Sequence, residues 1–149
     1  MSLNKNIKIN KILIASDHAG YKLKELIKKF LKKNRKNFLD LGTKNTDPVD
    51  YPDFAHLLSK KIKNSKNQFG VLICGSGIGM SMAANRHKNI RAALCNNIKS
   101  AKLSRKHNNA NVITIGARLT KKNIALKCVS IFLQTNFEGG RHAKRVKKI

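Results

Sequence analysis

The sequence predicts an α/β fold: a single-domain three-layer sandwich, with helices on both faces of a five-stranded parallel Rossmann-like sheet. Three observations predict it. Five short apolar runs alternate with helical stretches along 149 residues. The runs carry little polar alternation, as strands covered on both faces do. Each helix supplies the right-handed crossover that parallel neighbours need. A chain of 149 residues can bury a real core as one domain, residues 1–149.

Residues 1–10 read as a short basic extension. "KILIAS", Lys11 to Ser16, is the first strand. In "YKLKELIKKFLKK", Leu23, Leu26, Ile27, Phe30 and Leu31 recur at helical spacing, and lysines fill the remainder as a solvated face. "NFLDLG" is a second strand closed by Gly42, and "TKNTDPVDYPD" is a loop punctuated by Pro48 and Pro52. A helix from about Asp53 sets Phe54, Leu57, Leu58 and Ile62 on one face. "FGVLIC" is the third strand and "MSMAANRH" continues as a helix. "IRAALC" is the fourth strand, followed by a helix near "IKSAKLSRKH", and "NVITIG" is the fifth. Thr120 is placed to cap a last long helix through "IALKCVSIFLQ". Residues 137–149 form the tail.

Composition narrows the function classes. Net charge is +25, from 32 basic and 7 acidic residues. Most of the basic residues are lysines, and aromatics are only 5%, with no basic stretch interleaved with them for base stacking. A lysine-rich solvated surface is expected, with no specific nucleic-acid partner and only non-specific RNA or anion adhesion. Glu25 and Glu138 are the only glutamates, so a paired-carboxylate mechanism or a magnesium cage has little to draw on. Cys74, Cys95 and Cys128 are odd in number and lack CxxC spacing, which argues against disulfides and a structural zinc site. No run has the length of a membrane span, and "MSLNKNIKIN" lacks a signal-peptide pattern, so a cytoplasmic protein is expected.

Ligands of parallel α/β sheets sit beyond the carboxyl ends of the strands. Asp17 and His18 follow the first strand there, and Cys74 with Gly75, Gly77 and Gly79 follows the third. Glycines let backbone amides face a ligand, and the following helix start adds further donors for a phosphate or oxyanion. The loop is neither GxGxxG nor a P-loop. A thiol beside it can serve as a nucleophile or a base, whereas Cys95 and Cys128 read as small buried residues. Asp17 is equally suited to capping a helix. His107 and Asn108 precede the fifth strand, at the wrong end of it for such a site unless the preceding helix terminus folds over or belongs to a neighbouring subunit. His56 and His87 read as surface residues. Arg141 and Arg145, four apart, share a helix face suited to phosphate, and Arg118 follows the fifth strand.

These residues together resemble the type B ribose-5-phosphate isomerases, the family that also holds the galactose-6-phosphate isomerase subunits. The resemblance rests on "SDHAG", "DYP", "ICGSGIGMSMAANR", "IRAAL", "SRKHNNANVITIGAR" and "EGGRHAKRV", in order from Ser16 to Val146. It implies an aldose–ketose isomerase of ribose 5-phosphate and ribulose 5-phosphate, with no metal and no cofactor. Cys74 is implied as the base between C1 and C2, and His107 as the group that opens the furanose ring. Asp17, His18 and Asn108 are implied as substrate contacts, with Tyr51 lining the pocket. Gly75, Ser76, Gly77, Ile78 and Gly79 would hold the sugar oxygens and the enediolate. Arg118, Arg141 and Arg145 would hold the phosphate. The resemblance also implies a homodimer or tetramer with sites at the subunit interface, which the tail helps to complete. Ser76 stands where many relatives have threonine. The rival readings are an isomerase of allose or galactose 6-phosphate, and a small nucleotide- or RNA-binding α/β protein. "TIGARLTKK" lacks the glycine–serine phosphate motif that the nucleotide reading needs.

Overall fold

The computed structural model describes residues 9–62 and 67–149. Most of the basic extension therefore lies outside the described residues. Five strands form one parallel sheet: β1 (Lys11–Ser16), β2 (Phe38–Asp40), β3 (Gln68–Cys74), β4 (Ala92–Leu94) and β5 (Val112–Gly116). Their order is β2-β1-β3-β5-β4. The helices are α1 (Tyr21–Lys33), α2 (Tyr51–Lys61), α3 (Ile78–Ala84), α4 (Ile98–Asn108), α5 (Lys122–Gln134) and α6 (Arg141–Val146).

Strand alternation divides the core between the two faces. Ile12, Ile14, Val71 and Ile73 point toward α1, α4 and α5, where they meet Ile27, Leu31, Ala101 and Phe132. Leu13, Ala15, Leu72 and Cys74 point the other way, onto α2 and α3, against Leu58, Met80 and Ala84. That alternation decides which helices neighbour the Cys74 thiol.

Several sequence expectations are corrected. Helix α2 begins at Tyr51, with Pro52 in its first turn, where a missing N–H costs nothing. Leu57 is 38% exposed, so the apolar face of α2 is narrower than its spacing suggests. Helix α5 has Lys121, not Thr120, at its N-terminal boundary, with no side-chain cap, and the Thr120 hydroxyl is buried without a hydrogen-bond partner among the described residues. Lys24 leaves the solvated face of α1 altogether. It is 1% exposed, and its Nζ donates to Asp40 Oδ1 at 2.6 Å and Oδ2 at 2.7 Å. Lys28 donates to the same carboxylate at 2.6 Å. Burial opposes charge on Asp40, but the two lysines and the Gly42 amide prevail and hold its carboxyl below the usual range. Among the described residues, no helix is long and apolar enough to cross a membrane.

Candidate active site

Between β1 and β3 the chain's winding reverses direction across the sheet, which opens a crevice at their carboxyl ends. Asp17 leaves β1 there. Its amide donates to Ile73 O at 3.1 Å, and its buried Oδ1 accepts from Gly20 N at 2.9 Å. Asp17 thus tightens the β1–α1 turn. Gly20 is required at this turn, since a Cβ would stand 2.4 Å from Ile73 O. His18 Nδ1 lies 3.1 Å from Val49 N and 3.2 Å from Val49 O, which fixes the ring against the loop before α2.

Cys74 closes β3 with its side chain on the α2–α3 face, 4% exposed. Gly77 follows in the left-handed region, with φ 79°, and its amide donates to Cys74 Sγ at 3.1 Å. Ser76 Oγ accepts from Ile78 N at 3.3 Å. Tyr51, at the start of α2, lays its ring on Gly79, and a Cβ there would fall 2.5 Å from the ring. The loop also pairs with the chain leaving β5. Ala117 N donates to Cys74 O at 2.8 Å, and Arg118 N donates to Gly75 O at 3.0 Å. The Arg118 guanidinium lies beside Gly75, 3.2 Å from where its Cβ would stand. Asp17, His18, Tyr51, Cys74, Gly75 to Gly79 and Arg118 are therefore gathered on one edge of the sheet.

His107, Asn108, Arg141 and Arg145 are not part of that group. Helix α4 runs back against the strands, so His107 and Asn108 lie at the amino end of β5. The five residues of β5 span about 13 Å, which sets His107 at the far edge from Cys74. Arg105 builds this second cluster. Its guanidinium donates to Thr135 O at 3.1 Å and Ala110 O at 2.6 Å, and packs over Phe69 and Phe132. Burial, and then the charge of Arg91, push Arg105 down to about 10. By gripping Thr135, it lays the tail against α4. Glu138 N then donates to Lys106 O at 3.0 Å, and the Glu138 carboxylate pairs with Lys106 Nζ. His142 stacks on His107, with ring centroids 4.1 Å apart and planes at 8°. A cavity of about 380 Å³ opens beside this cluster, bordered by Asn85, Arg91, Asn108, Val146 and Ile149.

Sequence reasoning missed three features. Gly116 is as constrained as the loop glycines, since a Cβ there would stand 2.4 Å from Ser76 O. Glu138 and His142 flank His107, and their i,i+4 spacing could have signalled a shared face. His56 and His87 are not isolated: Nδ1 of one lies 2.8 Å from Nε2 of the other.

A thiol that receives a backbone amide, beside a glycine-rich loop at the crevice of a parallel sheet, places this chain among α/β proteins with a ligand site at the carboxyl ends of their strands. Comparison with known proteins gives the family. The family model described as Ribose/Galactose Isomerase matches residues 12–149. A probable ribose-5-phosphate isomerase B of Mycoplasma pneumoniae is 48% identical over 139 residues, 93% of this chain and 91% of that protein. Ribose-5-phosphate isomerase B of Escherichia coli is 38% identical over 141 residues, 95% of both chains. The crystal structure of the Mycoplasma genitalium ribose-5-phosphate isomerase B, with bound ribulose-5-phosphate, superposes with a TM-score of 0.91 at 46% identity and 95% coverage of both chains. The chain belongs to the ribose/galactose isomerase family, among the type B ribose-5-phosphate isomerases, and it is an enzyme of the aldose–ketose isomerase class.

Proposed function

We propose that this chain interconverts ribose 5-phosphate and ribulose 5-phosphate through an enediolate, in the non-oxidative branch of the pentose phosphate pathway in the cytoplasm. Cys74 is the base that moves the proton between C1 and C2, and His107 opens the furanose ring. The observation that carries this reading is the Gly77 amide on Cys74 Sγ. An N–H donor at sulfur stabilises negative charge there. The same bare loop lets the reacting carbons approach the sulfur, and loop amides other than those of Gly77 and Ile78, which are already engaged, meet the oxygen on which charge develops. Asp17, His18, Tyr51 and Asn108 hold the sugar, and Arg118, Arg141 and Arg145 take the phosphate. A phosphate held away from the reacting carbons supplies binding energy for orientation.

The separation of Cys74 from His107 supports a site shared between two copies in a homodimer, or in a dimer of dimers. Each copy contributes the Cys74 cluster to one site and the His107 and arginine cluster to the other. Ile78, Met82, Leu94 and Ile98 are exposed on the side of the sheet edge that carries Cys74, as a surface covered by a second copy would be. The pentose preference is supported by the relative with ribulose-5-phosphate bound, at 46% identity. A coupled assay on ribose 5-phosphate with EDTA present tests the reading, with allose and galactose 6-phosphates alongside. Turnover of the pentose phosphate is expected. A folded protein without it overturns the proposal.

A further inference from the structure

His107 sits in the last turn of α4 with its side chain half-exposed, and among the described residues no hydrogen bond holds its ring. The outer torsion of an imidazole is broad, so a ring in that position needs a neighbour to orient it. The neighbour is His142. The two rings lie face to face, with centroids 4.1 Å apart and planes 8° from parallel. His142 is only 7% exposed, and its own segment is tied down. Its amide donates to Gly139 O at 3.0 Å, and Glu138 N donates to Lys106 O on α4. Arg105 secures the same segment further back, through Thr135 O. Glu138 Oε2 stands 3.7 Å from His107 Nε2 and 3.8 Å from His142 Nε2, so both rings turn the same nitrogen to one side of the stack. The other Glu138 oxygen is paired with Lys106, which keeps the carboxylate in place.

We propose that His142 is a positioning residue for ring opening, its buried ring being the platform that orients His107 toward the closed sugar. The proposal rests on the ring-opening role given to His107 above. Opening a furanose breaks the bond between C1 and the ring oxygen as the C1 carbonyl forms. The C1 hydroxyl gives up a proton and the ring oxygen takes one, so an imidazole that serves both atoms ends unchanged. Proton transfer at two different oxygens makes the orientation of that imidazole decisive. A flat neighbour restricts the tilt of the ring without occupying either of its nitrogens, which a hydrogen bond would do. Burial, and then the charges of His107, Arg141 and Arg145, hold His142 below the usual histidine range, against the opposing pull of Glu138. A neutral platform does not repel His107 when that ring carries a proton.

Two readouts separate positioning from general damage. Turnover of ribose 5-phosphate needs the ring opened. Exchange of the C1 proton of ribulose 5-phosphate with D2O, followed by NMR, does not, because that acyclic ketose has no ring. His142→Ala is expected to lower kcat on ribose 5-phosphate by about ten- to a hundredfold. KM and the C1 exchange should stay within about twofold of wild type. His142→Phe keeps a flat face and should restore most of the turnover. His142→Leu fills the volume without stacking, so it should behave as the alanine variant does and replaces it if that variant fails to fold. Wild-type turnover in His142→Ala or His142→Leu overturns the proposal. An equal loss of turnover and exchange overturns it too, as does a His142→Phe variant as slow as His142→Ala. His107→Asn distinguishes the two readings. Turnover lost with exchange retained supports the ring-opening role of His107, and exchange lost in parallel would overturn that role itself.

Discussion

Cys74 Sγ accepts the backbone amide of Gly77 at 3.1 Å. The contact exists because Gly77 turns back with φ 79° immediately after the strand that carries the thiol. Removing the proposed base should stop proton exchange without disturbing the sheet. Cys74→Ala is expected to lower kcat by about a hundred- to ten-thousand-fold. Deuterium exchange at C2, followed by NMR, should be lost in parallel. Exchange at the wild-type rate in the variant would remove Cys74 from the chemistry.

Gly79 offers a test that separates binding from stability. Its Cβ would stand 2.5–2.8 Å from the Tyr51 ring, so Gly79→Ala must displace that ring. Alanine is also the better helix former by about 1 kcal/mol, and Tyr51 is 40% exposed and free to swing outward. The melting temperature should therefore hold or rise slightly. KM should rise several-fold, a loss of about 1 kcal/mol of binding, because the ring proposed to line the sugar pocket has moved. An unchanged KM would argue that Tyr51 does not line it.

Much of this was legible in the sequence because strands and motifs coincide. Apolar runs located all five strands, and period-two alternation then fixes which face Cys74 takes. What was not legible depended on partners distant in sequence. Lys24 sits at a spacing compatible with either face of α1, and only the Asp40 carboxylate at the end of β2 draws it inward. His56 and His87, 31 residues apart, meet only through the packing of α2 beside α3. Thr120 fails as a cap because helix α5 begins a residue later than the hydroxyl can serve. His107 was correctly placed at the amino end of its strand, but its neighbours Glu138 and His142 depend on the grip of Arg105 on Thr135.

The Lys24–Asp40–Lys28 cluster should give stability a defined pH dependence. The folded-state value of Asp40 lies below its ordinary one. Its contribution is thus present above roughly pH 4 and fades as the pH falls through the folded value. Burial opposes charge on Lys28, yet the hydrogen bonds it donates to Asp40 and Glu25 raise it overall, so its share persists up to the ordinary lysine range and is lost above it. Asp40→Asn should cost about 1–3 kcal/mol at neutral pH, since it leaves the buried ammonium of Lys24 with Glu25, 3.5 Å away, in place of the close carboxylate. Urea melts across the acid range should show the gap between variant and wild type closing below roughly pH 4. A gap that stays constant through that range would show that the carboxylate charge contributes nothing.

The opposite placement of Cys74 and His107 in one chain makes subunit sharing testable by mixing. Cys74→Ala and His107→Asn should each be nearly inactive alone, the latter most severely on the closed sugar. In a mixed dimer, one site receives the intact Cys74 and the intact His107 from different chains, while the other receives both altered residues. Random reassembly of equal amounts makes half the dimers mixed, each with one of two sites whole. Activity should then return to roughly a quarter of the wild-type level. Co-refolding followed by assay on ribose 5-phosphate gives the answer. If each site were complete within one chain, every chain in the mixture would carry a defect, and no activity would return.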